Sequence, residues 1–301
     1  LLRSYSIDLA VGGGWNYGGI RQYADAEVSA TAMLWNYWNA ALRFEHGISA
    51  LSDDLTRGGP LMGTPAVTSG NLSLSGNYAM PAQWSLALGL IRDDLGGWSV
   101  SASGKASYRP EGQWELSIEP RWSHSVNPRQ YIAALPGGTA ATFGTRYVFS
   151  SIERGKLALT LRCNYAFTPD LTLELYAEPY AESGRFFAYG ELAAARSRDL
   201  RSYGTDGSTI TRRDDGSFLV TDGPAAFSLR NQDFRYLSFR SNLVMRWEWM
   251  RGSTLFLVWQ QDRGLFEASD ALIGPRDTFD SIGAKGANFF ALKVSYWLPV
   301  G

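Results

Sequence analysis

Two histidines, His46 and His124, are the only imidazoles in the 301-residue chain, and Ser123 and Ser125 flank the second. A lipase-like enzyme needs a serine nucleophile, a histidine base and a third group that orients the ring. Sequence neighbours in a strand point to opposite faces. Neither serine therefore meets this imidazole, and both histidines read as interfacial residues near strand ends. Asp206, Asp214, Asp215 and Asp222 stand beside glycines in YGTDGSTITRRDDGSFLVTDGPA, residues 203–225. Oxygen-rich turns hold Ca²⁺, but no spacing here matches an EF-hand loop, and STITRR with SFLVTD reads as a hairpin. LTRGGPLMGTP, residues 55–65, lacks the Gly-x-x-x-x-Gly-Lys spacing that cradles phosphates. The single cysteine, Cys163, excludes an internal disulfide framework and reads as a small hydrophobe. Carboxylates interleaved with Arg and Lys read as structural charge rather than as a glycosidase pair. No catalytic residue, metal ligand or cofactor is expected in this chain, and no enzymatic activity.

The elements that carry these residues show one pattern. In KLALTLRCNYAFTPDLTLELYAEPY, residues 156–180, Leu157, Leu159, Leu161, Cys163, Tyr165 and Phe167 share one phase. Lys156, Thr160, Arg162 and Asn164 share the other. After Thr168-Pro169-Asp170 the alternation resumes, with Leu171, Leu173, Leu175, Ala177 and Pro179 against Glu174 and Glu178. A period of two means strand, tight turn, strand. The same alternation recurs along most of the chain in segments of about 10 to 13 residues, predicting about twelve strands in an all-β fold. Within the chosen registers no Asp, Glu, Lys or Arg falls on the apolar face.

These strands match the length that crosses a bilayer when tilted, whereas strands of soluble proteins average about 5 to 6 residues. Aromatics gather at both strand ends: Trp35, Tyr37, Trp38, Trp84, Tyr108, Trp114, Trp247 and Trp249 near short turns, Trp15, Trp98, Trp122, Tyr180 and Trp259 opposite. Aromatics make up 14% of the chain and charged residues 19%, below the roughly 25% charge of soluble domains. The sequence therefore predicts a transmembrane antiparallel up-and-down β-barrel, since only a closed barrel satisfies strand amides in lipid. Short turns near 35–37, 80–82, 109–112, 168–170 and 250–253 would be periplasmic. Long connections near 49–65, 125–154, 183–234 and 265–285 would be extracellular, and an even strand count leaves both chain ends in the periplasm. Net charge of −1 offers nothing to attract nucleic acid. The chain starts without Met or a signal peptide, so its start reads as a processed or truncated end and export is inferred from its body.

Five blocks carry a resemblance: SALSDDLTRGGPLMGTP (49–65), RDDLGGWS (92–99), TRYVFSSIERGKLALTLRCNYAFTPDLTLELYAEPY (145–180), MRWEWMRGSTLFLVWQQ (245–261) and FFALKVSYWLP (289–299). In this order they resemble the C-terminal barrel region of a family of large Gram-negative outer-membrane proteins. Members usually carry an N-terminal domain similar to family 9 carbohydrate-binding modules. The resemblance implies an outer-membrane location and a single barrel domain over residues 1–301, standing alone or as part of a larger barrel. It implies no reaction, because the family has none established.

The function expected is a channel or transport conduit for an unspecified saccharide or small solute, with membrane lipid as its surroundings. The wet face would carry Arg43, Glu45, Lys105, Glu115, Glu119, Arg121, Arg162, Glu174, Glu178, Arg240, Arg246 and Glu248. This balanced charge predicts weak ion selectivity. Leu55, Thr56, Arg57, Gly58, Gly59 and Pro60 form a candidate constriction loop. Two alternatives stand beside this: a structural anchor in an envelope complex that holds a periplasmic or surface partner protein, and a TonB-dependent-type receptor whose plug lies outside this chain.

Overall fold

The computed structural model describes residues 2–110 and 112–298. Leu1, Glu111 and residues 299–301 lie outside the described residues, and with them the centre of the 109–112 turn and the end of the last resemblance block. The fold is all-β with one short helix, α1 (Pro275–Asp280). Twelve strands form one antiparallel path in which each neighbours the next in sequence. They are β1 (Leu2–Trp15), β2 (Arg21–Leu34), β3 (Asn39–Gly47), β4 (Val67–Ser75), β5 (Ala82–Asp93), β6 (Trp98–Tyr108), β7 (Trp114–Pro136), β8 (Thr145–Thr168), β9 (Leu171–Leu192), β10 (Phe234–Met250), β11 (Ser253–Glu267) and β12 (Gly286–Ser295). A thirteenth, Leu200–Ser202, adds to β9. Among the described residues β1 and β12 are each paired on one side only, so the sheet is open.

Register aligns the apolar phases across the whole path. Ile7 faces Ala30, which faces Leu42, then Leu72, Leu88, Ala102, Trp122, Leu157, Ala181, Leu237 and Leu265. A slip of one residue anywhere would turn a strand's apolar set to the other face. No slip occurs along this row. The result is one continuous apolar face, open over most of its extent: Leu9, Leu42, Leu88, Ile118 and Leu292 are exposed, whereas Ala181, Leu237 and Phe239 are buried at the upper edge, where the segment carrying α1 packs on β8 to β10. Near the short turns the rings pair edge to face, Trp38 on Trp84 at 4.9 Å, Tyr108 on Trp114 at 5.6 Å and Tyr165 on Phe167 at 4.5 Å.

The turns between strands fall where the sequence puts them, but two long connections are shorter. Residues 125–154, expected as a connection, are mostly strand: β7 runs to Pro136 and β8 starts at Thr145. Likewise β9 continues to Leu192. Register shifts between β7 and β8, and one between β8 and β9 beside Ala188 (φ 51°), break the alternation there. Packing on both faces removes the contrast between apolar and polar positions. A pattern with a bulge and two covered faces does not read as a strand in sequence.

Candidate functional site

The face opposite the apolar row holds all twelve of the charged residues predicted to be wet. Arg43 reaches Glu27 at 2.6 Å and Glu45 at 3.6 Å. Glu119 lies between Lys105 at 2.8 Å and Arg121 at 3.1 Å. Glu115 pairs with Arg109, and Arg246 with Glu248 at 2.9 Å. The Arg162 guanidinium sits 4.9 Å above the Tyr176 ring, whose hydroxyl donates to Glu178. Arg240 faces Glu178 across the ladder and lies 3.8 Å from Asp262. Glu174 stands opposite Asn164 and Val244. Many of these side chains stay open to solvent, Arg121 at 58% and Arg240 at 67%, so each pair contributes little and screens with salt. The same face is nearly free of charge along β4 to β6, where Asn71, Ser73, Ser101 and Ser103 line a groove with Glu27 and Arg43.

Beyond the apolar row, β7, β8 and β9 rise as an extension covered on both sides. On the side continuing the charged phase sits a small sheet of three strands, Ser208–Arg212, Phe218–Asp222 and Ala225–Leu229. Its Val220 and Leu229 pack on Val148, Tyr189 and Tyr203. A network of four charges clamps it. Arg146 Nη1 donates to Glu191 Oε2 at 2.9 Å and to Asp222 Oδ2 at 2.7 Å, Arg201 donates to the same two carboxylates, and Tyr203 Oη donates to Glu191 at 3.0 Å. Arg146 and Glu191 side chains are only 7% and 5% exposed. The hydrogen bonds from both guanidiniums hold the Asp222 carboxyl well below its usual range, against the smaller opposing effect of its burial.

The candidate constriction residues occupy the other side of the extension. Leu55 and Met62 pack with Phe149, Leu192, Tyr131 and Tyr147, which continue the apolar phase. Thr56 is buried and donates to the Pro60 carbonyl at 2.7 Å, while Arg57 lies 4.6 Å over the Tyr131 ring. Gly58 has φ 93°, a left-handed conformation that side chains resist. Gly59 abuts the Tyr147 ring so closely that a Cβ would collide with it. Leu61 and Gly63 bond the backbone at Arg196 and Ser197. Residues 55–60 are thus a pinned brace on the extension.

His124 lies on the apolar-phase side, opposite Gly155, while Ser123 and Ser125 face Lys156 and Arg154 on the charged side. Its Nε2 meets Glu153 Oε1 at 2.9 Å, and Arg185 also pairs with Glu153. Burial alone would raise the Glu153 pKa, but the bonds from His124 and Arg185 outweigh it and hold it low. Asp222 is engaged by arginines and Asp215 accepts from Ser217 at 2.6 Å. No group of three or more His, Cys, Asp or Glu side chains gathers among the described residues. Sequence reasoning missed the Arg146, Glu191 and Arg201 network, whose members lie up to 76 positions from their partners. Of its acidic members only Asp222 stood out, as an oxygen donor beside a glycine.

Set against known protein families and curated proteins, the chain finds no match.

Proposed function

We propose that the chain is the wall of an outer-membrane β-barrel conduit, its apolar row against lipid and its charged face around a wet lumen. The observation that carries this reading is the unbroken apolar register over the wall, which leaves Leu9, Leu42, Leu88, Ile118 and Leu292 exposed and is covered only at the upper edge of β8 to β10, where the segment carrying α1 packs. The run from Leu157 to Phe167 spans roughly 34 Å along the strand, about 24 Å of height at a tilt near 45°. That matches the roughly 25 Å apolar band of membrane barrels, as do the aromatic pairs at its lower edge. A sheet edge in hydrocarbon leaves amides without partners. Closure is therefore part of the proposal, through β1 meeting β12 or through further strands that join both edges. The three-stranded sheet, on the lumen side of the extension, would stand at the extracellular mouth, with residues 55–60 bracing it from behind. The start of β1 and the end of β12 lie at the periplasmic side in this reading.

Mixed charge on the lumen face favours a pore with weak ion selectivity. Single-channel recording in planar bilayers tests the conduit: discrete conductance with near-equal cation and anion permeability is expected, and a folded, inserted protein that never conducts would contradict it. The clamped extension favours a second reading, a structural anchor that presents a rigid outer surface to an envelope partner. Stable co-purification with such a partner, alongside absent conductance, would select it.

A further inference from the structure

We infer that the upper rim of the apolar face, between β3 and β6, binds the phosphate-bearing headgroup of a membrane lipid whose acyl chain lies in a groove floored by Gly70. This rests on the membrane reading above. The open groove has a volume of about 1200 Å³, with Phe44, Leu90 and Val100 along it, His46, Arg92 and Trp98 at its top, and Asp93 and Asp94 also in its lining. In register these form two rows: Phe44, Gly70, Leu90, Val100, and one step higher His46, Thr68, Arg92, Trp98.

Gly70 is the first anomaly. A strand glycine usually marks a bulge or a close approach of other backbone, yet the register around it is unbroken on both sides. A Cβ added there would meet nothing within 4 Å. The gap is open space in an otherwise continuous row of large apolar side chains, which suits a flexible hydrocarbon chain laid across the strand.

Arg92 is the second. Two other arginines of this phase pair with carboxylates, Arg185 with Glu153 and Arg235 with Glu267 and Asp277, and Arg263 reaches the Ala284 carbonyl at 3.5 Å. Arg92 is exposed and makes no ion pair or side-chain hydrogen bond among the described residues. The carboxylates near it in sequence are taken, Asp93 by the backbone N–H groups of Leu95 and Gly97 and Asp94 by Arg198. His46 uses Nδ1 on Thr68 Oγ1 at 2.9 Å, and its Nε2 has no hydrogen-bond partner among the described residues. A guanidinium fork and an imidazole nitrogen above an apolar channel, with an indole at the side, suit an anion attached to a hydrocarbon chain. Free phosphate would use only the upper half of this arrangement.

Native mass spectrometry of the purified protein released from micelles provides the test, with phosphatidic acid as the probe and chain-matched diacylglycerol as its uncharged control. Wild-type protein should retain phosphatidic acid over diacylglycerol, and Arg92→Gln should lower that retention about tenfold. Gly70→Leu, which fills the groove and leaves the charge intact, should lower it as well, while Arg276→Gln on the exposed helix should not. Retention unchanged in Arg92→Gln and Gly70→Leu would overturn the inference, as would full displacement of the lipid by millimolar inorganic phosphate. Flotation with vesicles separates the two claims. Protein that floats without this preference loses only the lipid site, and protein that does not float loses both.

Discussion

The lower wall and the extension are built from the same three strands, β7, β8 and β9, yet they treat charge in opposite ways. Along the wall, from Trp122 down to Trp114 and from Leu157 down to Phe167, charge sits on one face and the other is purely apolar. Above, Glu153 and Arg185 occupy the apolar phase and Arg146 and Glu191 the charged one, with protein packed on both sides. A ladder of the same geometry thus serves two environments. What differs is the partner of each face: none within the molecule for most of the wall below the segment carrying α1, a docked sheet and a docked loop for the extension. In the extension charge stands on either face because it is paired there, whereas along the wall it keeps to one face.

That contrast can be broken at several points. The largest effect should come from Arg146→Met, which leaves Glu191 buried with less compensation and should destabilise the docked sheet by about 3–5 kcal/mol. Protease cutting within residues 193–234 would report it. Leu173→Arg places a charge midway along the bare face and should cost roughly 2–4 kcal/mol in denaturant unfolding from lipid vesicles. Gly59→Val should release the 55–60 brace through its collision with Tyr147, at about 1–3 kcal/mol, with new cleavage after Arg57 and the wall intact.

The pH response should separate the regions too. The Asp222 pKa is depressed in the folded protein, so its contribution to docking is fully present above the unfolded carboxylate value near about 3.9. It declines as pH falls below that value toward the folded pKa. Protease resistance of the docked sheet should therefore be flat from neutral pH to about 5 and fall in stronger acid. Replacement of Asp222 by Asn should abolish that dependence. The smallest change is expected from Glu174→Gln on the wet face, within about 0.5 kcal/mol of wild type.

The difference between the regions also explains what the sequence made legible. In the wall, Leu157 to Phe167 and Leu171 to Pro179 alternate because one side is greasy throughout, so strands, turns and faces are all readable. The twelve charged residues assigned to one face lie on one face. In the extension, Tyr147 and Phe149 alternate with nothing recognisable, because Val148 and Ile152 on the other face are as buried as Phe149. Bulges near Pro128 and Ala188 then shift the phase. The site there is tertiary: Asp222 meets Arg146 only after a small sheet folds back on β8. Spacing along the chain carries no trace of that fold-back.

The central claim is that the bare face meets lipid and the charged face meets water. Cys163 is the only thiol, so a Cys163→Ser background carrying either Leu173→Cys or Glu174→Cys isolates two adjacent positions on opposite faces. Each variant, reconstituted in vesicles, would be treated with a water-soluble maleimide. The thiol at 174 should react readily and the thiol at 173 should resist until detergent is added. Equal labelling of both positions in intact vesicles would contradict the assignment of faces and the barrel reading with it.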